Sequence, residues 1–352
     1  MTAQSPFLSY EKIVESPKKW RLDEKETRAL DKQTWVVTEK IHGAHFCFVI
    51  EEDDVSAAKR KAFLDQDDDF FGYEDVYLTY ADACTELFAQ WKRHHPHTTR
   101  LYLYGELFGG DYPHPEVPSN ENVQAIQTGV YYAPDIHFCA FDLAYTDADA
   151  TKQYVDFDTF AEQLDHVGIM RTQALFEGKW ADALSFDVTF TSTIPSRLGL
   201  PPLQQDNLAE GVVIKPKQPL FVTGPKGPFR PVLKQKIASF AEDRRFHQAQ
   251  KWEKKHPHPS YEQNVSPLEQ TLLQFVTPTR LDNVLSKMGR VAPHQHKKRQ
   301  QLLKAFEEDV WEALTEEAPE QVTSMRSDEE VRLREVVQVQ CEQCIEAALS
   351  SR

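Results

Sequence analysis

The chain has 352 residues, of which 40% are hydrophobic and 27% charged, and its formal net charge is −15. This length suits two domains, and no apolar run is long enough to span a membrane. The N-terminus lacks the basic and apolar regions of a signal peptide, so we expect a cytoplasmic protein that binds no membrane.

In chain order, short apolar runs rich in β-branched and aromatic residues predict strands at residues 35–38, 45–50, 101–107, 138–143, 211–214 and 232–237. A helix is predicted around residues 78–91, and loops rich in proline and glycine separate these elements. Residues 1–243 therefore predict an α+β domain of mixed or antiparallel sheets with helices.

After residue 243 the composition changes to a basic, polar linker at 244–263, followed by a small all-helical domain at 264–352. Ser266-Pro267-Leu268-Glu269 is typical of a capping box with proline at the first helical position. Apolar residues at helical spacing predict further helices through Leu281 to Gly289, Leu302 to Val310 and Val337 to Ile345. Within the last helix, Cys341 and Cys344 share an apolar face, which favours core packing over a metal or redox site.

The negative charge is concentrated near the C-terminus, where residues 305–352 hold thirteen Asp and Glu against four Lys and Arg. Residues 230–255 instead hold eight basic side chains against three acidic ones. Because nucleic acids bind local patches of charge, the net charge does not exclude such a partner.

One lysine stands between two predicted strands, in the sequence Glu39-Lys40-Ile41-His42-Gly43. Burial at the rim of a sheet disfavours the ammonium form, which makes the amine available as a nucleophile. The glycine allows a turn directly after it. By itself Lys-x-x-Gly is a weak signal, and its meaning depends on the segments downstream.

Five further segments place charged groups beside strand-like runs: Lys59-Arg60, Glu106, Phe141-Asp142, Glu210 through Lys215, and Lys234-Gln235-Lys236. Each one alone is best explained as charge at a sheet edge. Together they supply what nucleotide chemistry at a lysine requires. Lys234 and Lys236 fall on one face of a strand, where they would lower the pKa of Lys40 and bind phosphate.

Two carboxylates and one aromatic ring extend this set. Phosphoryl transfer from a nucleotide needs carboxylates that hold a divalent metal, and Glu106 and Glu210 are the candidates. A flat base needs an aromatic face, which Phe141 could provide.

In their order and residue identities these segments resemble the motifs of the covalent nucleotidyltransferases. Within that superfamily they resemble the RNA ligase 2 family, which includes a phage enzyme and trypanosome RNA-editing ligases. The matching stretches are EKIHG at 39–43, AKR at 58–60, DFFGY at 69–73, GELFGG at 105–110, AEGVVIKP at 209–216 and KQK at 234–236. The histidine at position 42 distinguishes this family, because DNA ligases and capping enzymes usually have aspartate there. The likeness continues into the helical region through Thr277, Arg280 and Lys287.

The resemblance implies an ATP-dependent RNA ligase that joins 5′-phosphate and 3′-hydroxyl RNA ends, and nicks in duplex RNA are the expected substrate. Lys40 would attack the α-phosphate of ATP to form a lysyl-AMP. The AMP would pass to the RNA 5′-phosphate, and the 3′-hydroxyl would displace it. ATP and Mg²⁺ or Mn²⁺ are the implied cofactors, and no protein partner is indicated.

The resemblance also implies roles for individual residues around Lys40. His42 would position phosphates during transfer. Lys234 and Lys236 would hold the α-phosphate, with Lys215 beside them. Glu39 would belong to the nucleotide-binding set.

The remaining roles concern the nucleoside, the metal and the RNA. Arg60 and Glu106 would contact the ribose or the RNA end, and Phe141 would stack on adenine. Glu210, with Glu106, would serve the metal-dependent steps, whereas Asp142 is assigned a structural part. RNA contacts are expected from Arg60, Thr277, Arg280 and Lys287.

Two departures from the family pattern concern polar contacts. His45 stands where the family commonly has asparagine, and Ile237-Ala238 replaces a polar pair. One alternative is a DNA ligase or a capping-type guanylyltransferase, which would carry a β-barrel domain that residues 264–352 do not predict. Another is a catalytically silent RNA-binding relative, which His45 favours and the intact Lys40 opposes.

Overall fold

The computed structural model describes residues 7–65, 68, 70–225, 227–240, 267–289, 291–292 and 295–350. The chain divides into two compact units, Met1–Phe240 and Ala241–Arg352. The predicted boundary at residue 243 lies three residues beyond this division. The predicted linker at 244–263, and Ser266 of the predicted capping box, lie outside the described residues.

The strands of the first unit are β1 (Trp35–Glu39), β2 (Ala44–Ile50), β3 (Val55–Lys59), β4 (Ala62–Phe63), β5 (Arg100–Asp111), β6 (Ala133–Thr146), β7 (Gln153–Tyr154), β8 (Ala174–Gly178), β9 (Gly211–Pro216), β10 (Val222–Gly224), β11 (Gly227–Phe229) and β12 (Leu233–Lys236). Six strands follow the order β4-β3-β2-β5-β6-β7, four follow β12-β9-β1-β8, and β10 pairs with β11. Among the described residues, all pairings between these strands are antiparallel. The predicted α+β class is confirmed.

Two helices of the first unit begin at side-chain caps. The Asp23 side chain accepts the Glu26 N–H at 2.8 Å, and Asp156 accepts the Thr159 N–H at 3.0 Å, each satisfying an otherwise unpaired donor. The helix predicted at 78–91 is confirmed and is longer. After a short 3-10 helix (Pro17–Trp20), the helices are α1 (Glu24–Asp31), α2 (Tyr73–His94), α3 (Phe157–Val167), α4 (Trp180–Leu184) and α5 (Ile194–Arg197).

The six-stranded sheet is covered on both faces. Phe46, Phe48 and Phe138 pack with residues of α2 and α3 on one face. Because side chains alternate along a strand, Cys47 and Val49 of β2 point to the other face, where they pack with aromatic residues of β5. This double coverage explains why β2 is an almost continuous apolar run.

The four-stranded sheet has a separate core, built around tryptophan. The Trp35 and Trp180 ring centroids lie 4.2 Å apart, and Trp20 lies 5.8 Å from Trp180. All three are buried, and they pack with Val37 and Ile214 of the sheet. This core fixes the strands that carry the candidate site.

Residues 7–15, which we call the N-terminal segment, form no regular element but contact both large sheets. The Tyr104 hydroxyl of β5 donates to the Leu8 carbonyl at 2.6 Å. Further along, Val14 forms an isolated parallel bridge with Leu233 of β12. The segment therefore ties the six-stranded sheet to the edge of the four-stranded one.

The second unit is all-helical within the described residues, as the sequence predicts. Its helices are α6 (Pro267–Leu273), α7 (Pro278–Met288), α8 (His296–Glu317), α9 (Pro319–Thr323) and α10 (Ser327–Ser350). Cys341 and Cys344 are buried in its core with Phe306 and Val337, as expected. In the part of the chain that the structure describes, no helix is long and apolar enough to cross a membrane.

We predict that Gly211→Ala is far more destabilising than Gly227→Ala. Both glycines have positive φ angles, +148° and +108°. A Cβ at Gly211 would lie 2.0 Å from the Gln235 carbonyl oxygen, whereas Gly227 has open space. We expect a loss of about 1 kcal/mol at Gly227, from backbone strain alone, and more than about 3 kcal/mol at Gly211. Urea unfolding followed by tryptophan fluorescence measures both, and equal losses would contradict the close approach.

Candidate active site

Lys40 directly follows β1, and the pairing of β1 with β9 places it. Its backbone N–H donates to the Gly211 carbonyl at 2.9 Å, in line with the register that pairs Glu39 with Val212. The Lys40 side chain is 21% exposed, and its Nζ lies 2.6 Å from Oε2 of Glu210. The Lys40 ammonium thus contacts a carboxylate that the sequence analysis placed in the same site.

Glu210 is the centre of the cluster and is 2% exposed. Its Oε2 also lies 3.2 Å from Nδ1 of His42, and its Oε1 lies 3.1 Å from Nζ of Lys236. Burial acts to raise the pKa of Glu210, but Lys40, His42 and Lys236 outweigh it and hold that pKa well below its usual range. We call these four residues the Glu210 cluster.

The strands explain why these side chains meet. Lys236 pairs with Gly211 across β12 and β9, so it stands beside Glu210, the residue that precedes β9. The His42 backbone N–H donates to the Tyr132 hydroxyl at 2.8 Å, which fixes the turn after Lys40. The predicted association of Lys40 with His42, Lys236 and Glu210 is thus present in the structure.

Glu39 is buried, and its carboxylate points to the loop before α5. It accepts hydrogen bonds from the Ser192 hydroxyl at 2.6 Å and from the Thr193 N–H and hydroxyl at 2.8 and 2.7 Å. Burial raises its pKa against these bonds. The structure gives Glu39 an anchoring part next to Lys40, and its contact with a nucleotide stays a prediction.

Glu106 of β5 lies opposite His45 of β2, near Lys40 and Arg60. A Cβ at Gly43 would fall 2.0 Å from the Leu107 carbonyl oxygen, so only glycine lets the Lys40 turn pass this close to β5. Burial raises the pKa of Glu106 to about 7, with a smaller raising effect from Glu210, while Lys40 and Arg60 act to lower it.

Phe141, Tyr10 and His45 form an aromatic wall on the face of the six-stranded sheet that carries Glu106. The Phe141 ring lies 5.1 Å from Tyr10 and 5.7 Å from His45, both edge to face. Burial, with the charge of Arg60, lowers the pKa of His45 to about 3, so its ring is neutral. Neither ring nitrogen has a hydrogen-bond partner of good geometry among the described residues. The wall therefore offers both an aromatic face and spare polar atoms.

Asp142 is a buried hub, in agreement with the structural part assigned to it. Its Oδ1 lies 3.1 Å from Nζ of Lys215, and its Oδ2 accepts from the Tyr10 hydroxyl at 2.8 Å and from Arg230. Burial acts to raise the pKa of Asp142, but the charges of Arg230 and Lys215 lower it.

Lys215 and Lys234 have partners that the sequence did not predict. Lys215 lies four residues beyond Gly211 on β9, roughly 13 Å along an extended strand, and pairs with Asp142. Lys234 lies on the same face of β12 as Lys236, but its Nζ is 3.3 Å from Oε1 of Glu15 in the N-terminal segment. Lys40 and Lys236 form ion pairs with Glu210.

The predicted RNA-binding residues of the second unit have internal contacts. Thr277 caps α7 by accepting the Arg280 N–H at 3.2 Å. Arg280 and Lys287 both pair with Asp309 of α8, at 2.6 and 3.1 Å, and lower its pKa against the effect of burial. These contacts join two helices, and RNA contact by the three residues stays a prediction.

Glu106 and Glu210 are the two carboxylates of this site that would hold a divalent metal jointly with a substrate. Among the described residues, no three His, Cys, Asp or Glu side chains form a metal site. Glu210 and Glu106 are close enough for the charge of one to raise the pKa of the other. Mg²⁺ is commonly bound by one or two carboxylates together with substrate phosphates.

We predict that Glu106→Gln stabilises the protein, and more so at high pH. Because the pKa of Glu106 is about 7 in the folded protein, ionisation of this group costs stability. The cost is absent at pH values well below the ordinary pKa of glutamate and is complete above pH 7. The gain over the wild type should be about 2 kcal/mol larger at pH 8 than at pH 5. Urea titrations at both pH values measure it, with the exposed Glu116→Gln as control. A gain independent of pH would contradict the raised pKa.

Comparison with known proteins assigns this chain to a family. The profile of the family described as RNA ligase matches residues 33–236, and that described as T4 RNA ligase 2 C-terminal matches residues 259–343. RNA-editing ligase 1, mitochondrial, of Trypanosoma brucei brucei is 34% identical over 240 residues, which cover 60% of this chain and 50% of the relative. For RNA-editing ligase 2, mitochondrial, the values are 34% over 232 residues, 59% and 54%. The chain spans about half the length of these relatives.

Solved structures of a Naegleria gruberi RNA ligase show a weaker likeness. An apo mutant has 15% identity and a TM-score of 0.41, covering 68% of this chain and 58% of that chain. A second mutant with ATP and Mn has 15% identity and a TM-score of 0.42, covering 68% and 59%. The RNA ligase profile itself spans more than half of this chain and contains the whole Glu210 cluster. The chain therefore belongs to the RNA ligase family, as its motifs predicted.

Proposed function

We propose that this protein is an ATP-dependent RNA ligase that seals 5′-phosphate and 3′-hydroxyl RNA ends through an AMP bound to Lys40. The observation that carries the proposal is the Glu210 cluster. It places a potential nucleophile, an imidazole and a second lysine on one buried carboxylate. The trypanosome relatives are RNA-editing ligases by name, which supports RNA as the substrate.

The first chemical step would use Lys40 as the nucleophile. Its ammonium, which is partly exposed to solvent, has to give a proton to water and move away from Glu210 before its nitrogen can attack. The nitrogen then forms a bond to the α-phosphorus of ATP, the bond to the β-phosphate breaks, and pyrophosphate leaves. Lys236 and His42 would face the incoming phosphates with positive charge and hydrogen-bond donors, which stabilises negative charge in the transition state.

The neighbouring groups suit the rest of the nucleotide. Phe141 in the aromatic wall would stack on adenine, and Arg60 with Glu106 would contact the ribose or the RNA end. Mg²⁺ or Mn²⁺ held by Glu210 and Glu106 would neutralise phosphate charge when bound. In the later steps the AMP would pass to the RNA 5′-phosphate, and the 3′-hydroxyl would displace it.

The alternatives have less support. A DNA ligase or a capping enzyme with a β-barrel is disfavoured because the described part of residues 241–352 is helical. A silent RNA-binding relative is disfavoured by the complete Glu210 cluster. Nicked duplex RNA as the preferred substrate, and the cytoplasm as the location, stay predictions.

We predict that Lys40→Ala abolishes ligation of 5′-phosphate RNA with ATP but retains ligation of RNA that already carries 5′-AMP. The variant lacks only the amine that takes up AMP, whereas the final displacement does not use that amine. Gel assays with nicked duplex RNA, single-stranded RNA, RNA–DNA hybrids and nicked DNA measure both reactions and rank the substrates.

The matched control is Lys217→Ala. Lys217 follows β9 at the end opposite Glu210 and pairs with Glu177 and Asp158, so its removal should leave both reactions unchanged. Sealing of 5′-phosphate ends by Lys40→Ala would refute the proposal. Sealing of DNA nicks, with RNA nicks left open, would favour the DNA ligase.

A further inference from the structure

Lys234 is held from two directions by the N-terminal segment. Its backbone N–H donates to the Val14 carbonyl at 2.9 Å, and its Nζ lies 3.3 Å from Oε1 of the next residue, Glu15. We propose that Glu15 is a positioning residue for Lys234, which directs the ammonium of that lysine toward the phosphates during adenylylation of Lys40. This inference rests on the proposed ligase function.

The geometry makes Glu15 a fixed support. Val14 is registered to β12 by the bridge to Leu233, so the backbone of the following residue has a defined place beside the strand. On one side the Tyr10 hydroxyl is bonded to the buried Asp142. On the other, the chain enters the short 3-10 helix that ends in the buried Trp20. A group held at both ends by packing is the kind of support that orients a functional side chain.

The position and exposure of Lys234 explain why its side chain would need such support. It lies on β12, an outer strand of the four-stranded sheet, and its side chain is 23% exposed. A lysine side chain loses conformational entropy when it is ordered. Lys236, two residues on, is 7% exposed and is held by Glu210. The two lysines on this face therefore pair with different carboxylates, one from the cluster and one from the N-terminal segment.

Glu15 and Glu210 also have different roles, because they pair with different lysines. Glu210 pairs with the nucleophile as well as with Lys236, so its charge acts on the reacting nitrogen. Glu15 instead pairs with Lys234, and the Glu15 side chain is 29% exposed. Loss of the Glu15 carboxylate should therefore affect adenylylation through Lys234 alone.

A double-mutant cycle tests this coupling. The rate constant for lysyl-AMP formation at saturating labelled ATP is measured in single turnovers for the wild type, Glu15→Gln, Lys234→Ala and the double variant. We expect Glu15→Gln to lower the rate constant by about tenfold or more, because small misplacements of a phosphate-binding group cost this much. In the Lys234→Ala background the same change should have no further effect. Glu15→Asp should recover part of the rate.

The matched control is Glu11→Gln, in the same segment. Glu11 pairs with Arg230 and Lys152, so its loss should lower thermal stability and act equally with and without Lys234. Additive effects of Glu15→Gln and Lys234→Ala, or a wild-type rate in Glu15→Gln, would overturn the inference while the ligase proposal stands. A wild-type protein that forms no lysyl-AMP would overturn the ligase proposal itself.

Discussion

The candidate active site of the first unit is organised around one buried carboxylate. Glu210 is removed from water, and an isolated charge there would be unstable. Lys40, His42 and Lys236 compensate it, and so the same contact that stabilises the carboxylate also gathers the groups that the proposed chemistry uses. Removal of the carboxylate would leave these three side chains without their common partner, at a cost of several kcal/mol.

The surrounding backbone is shaped to allow this contact. Gly43 and Gly211 each lie so close to a neighbouring carbonyl that a side chain would not fit. The first lets the Lys40 turn pass β5, and the second lets β9 pass β12 directly after Glu210. The tryptophan core behind β1 and β9 then holds both strands in place. Packing, backbone approach and charge therefore act on the same few residues.

Much of this arrangement could be predicted from the sequence. Strand-forming runs located β1, β2, β5, β6, β9 and β12, and helical spacing located α7, α8 and α10 of the second unit. The order of the motifs around Lys40, Glu106, Glu210 and Lys236 was enough to predict a shared site. These signals are local, and each is carried by residues that are close in the chain.

Long-range pairing could not be predicted in this way. The partners of Lys215, Lys234 and Arg280 are between 29 and 219 positions distant, and no periodicity encodes them. The N-terminal segment forms no regular element, so no pattern indicated that it contacts two sheets. The neutral state of His45 depends on burial by Tyr10 and Phe141, which appears only once the sheet is assembled.

The central claim is that Lys40 takes AMP from ATP. The most direct measurement is incubation with ATP labelled at either the α- or the γ-phosphate, followed by mapping of the modified peptide by mass spectrometry. The account predicts label from the α-phosphate alone, on the peptide that contains Lys40. Label retained from the γ-phosphate, or AMP found on another residue, would contradict it.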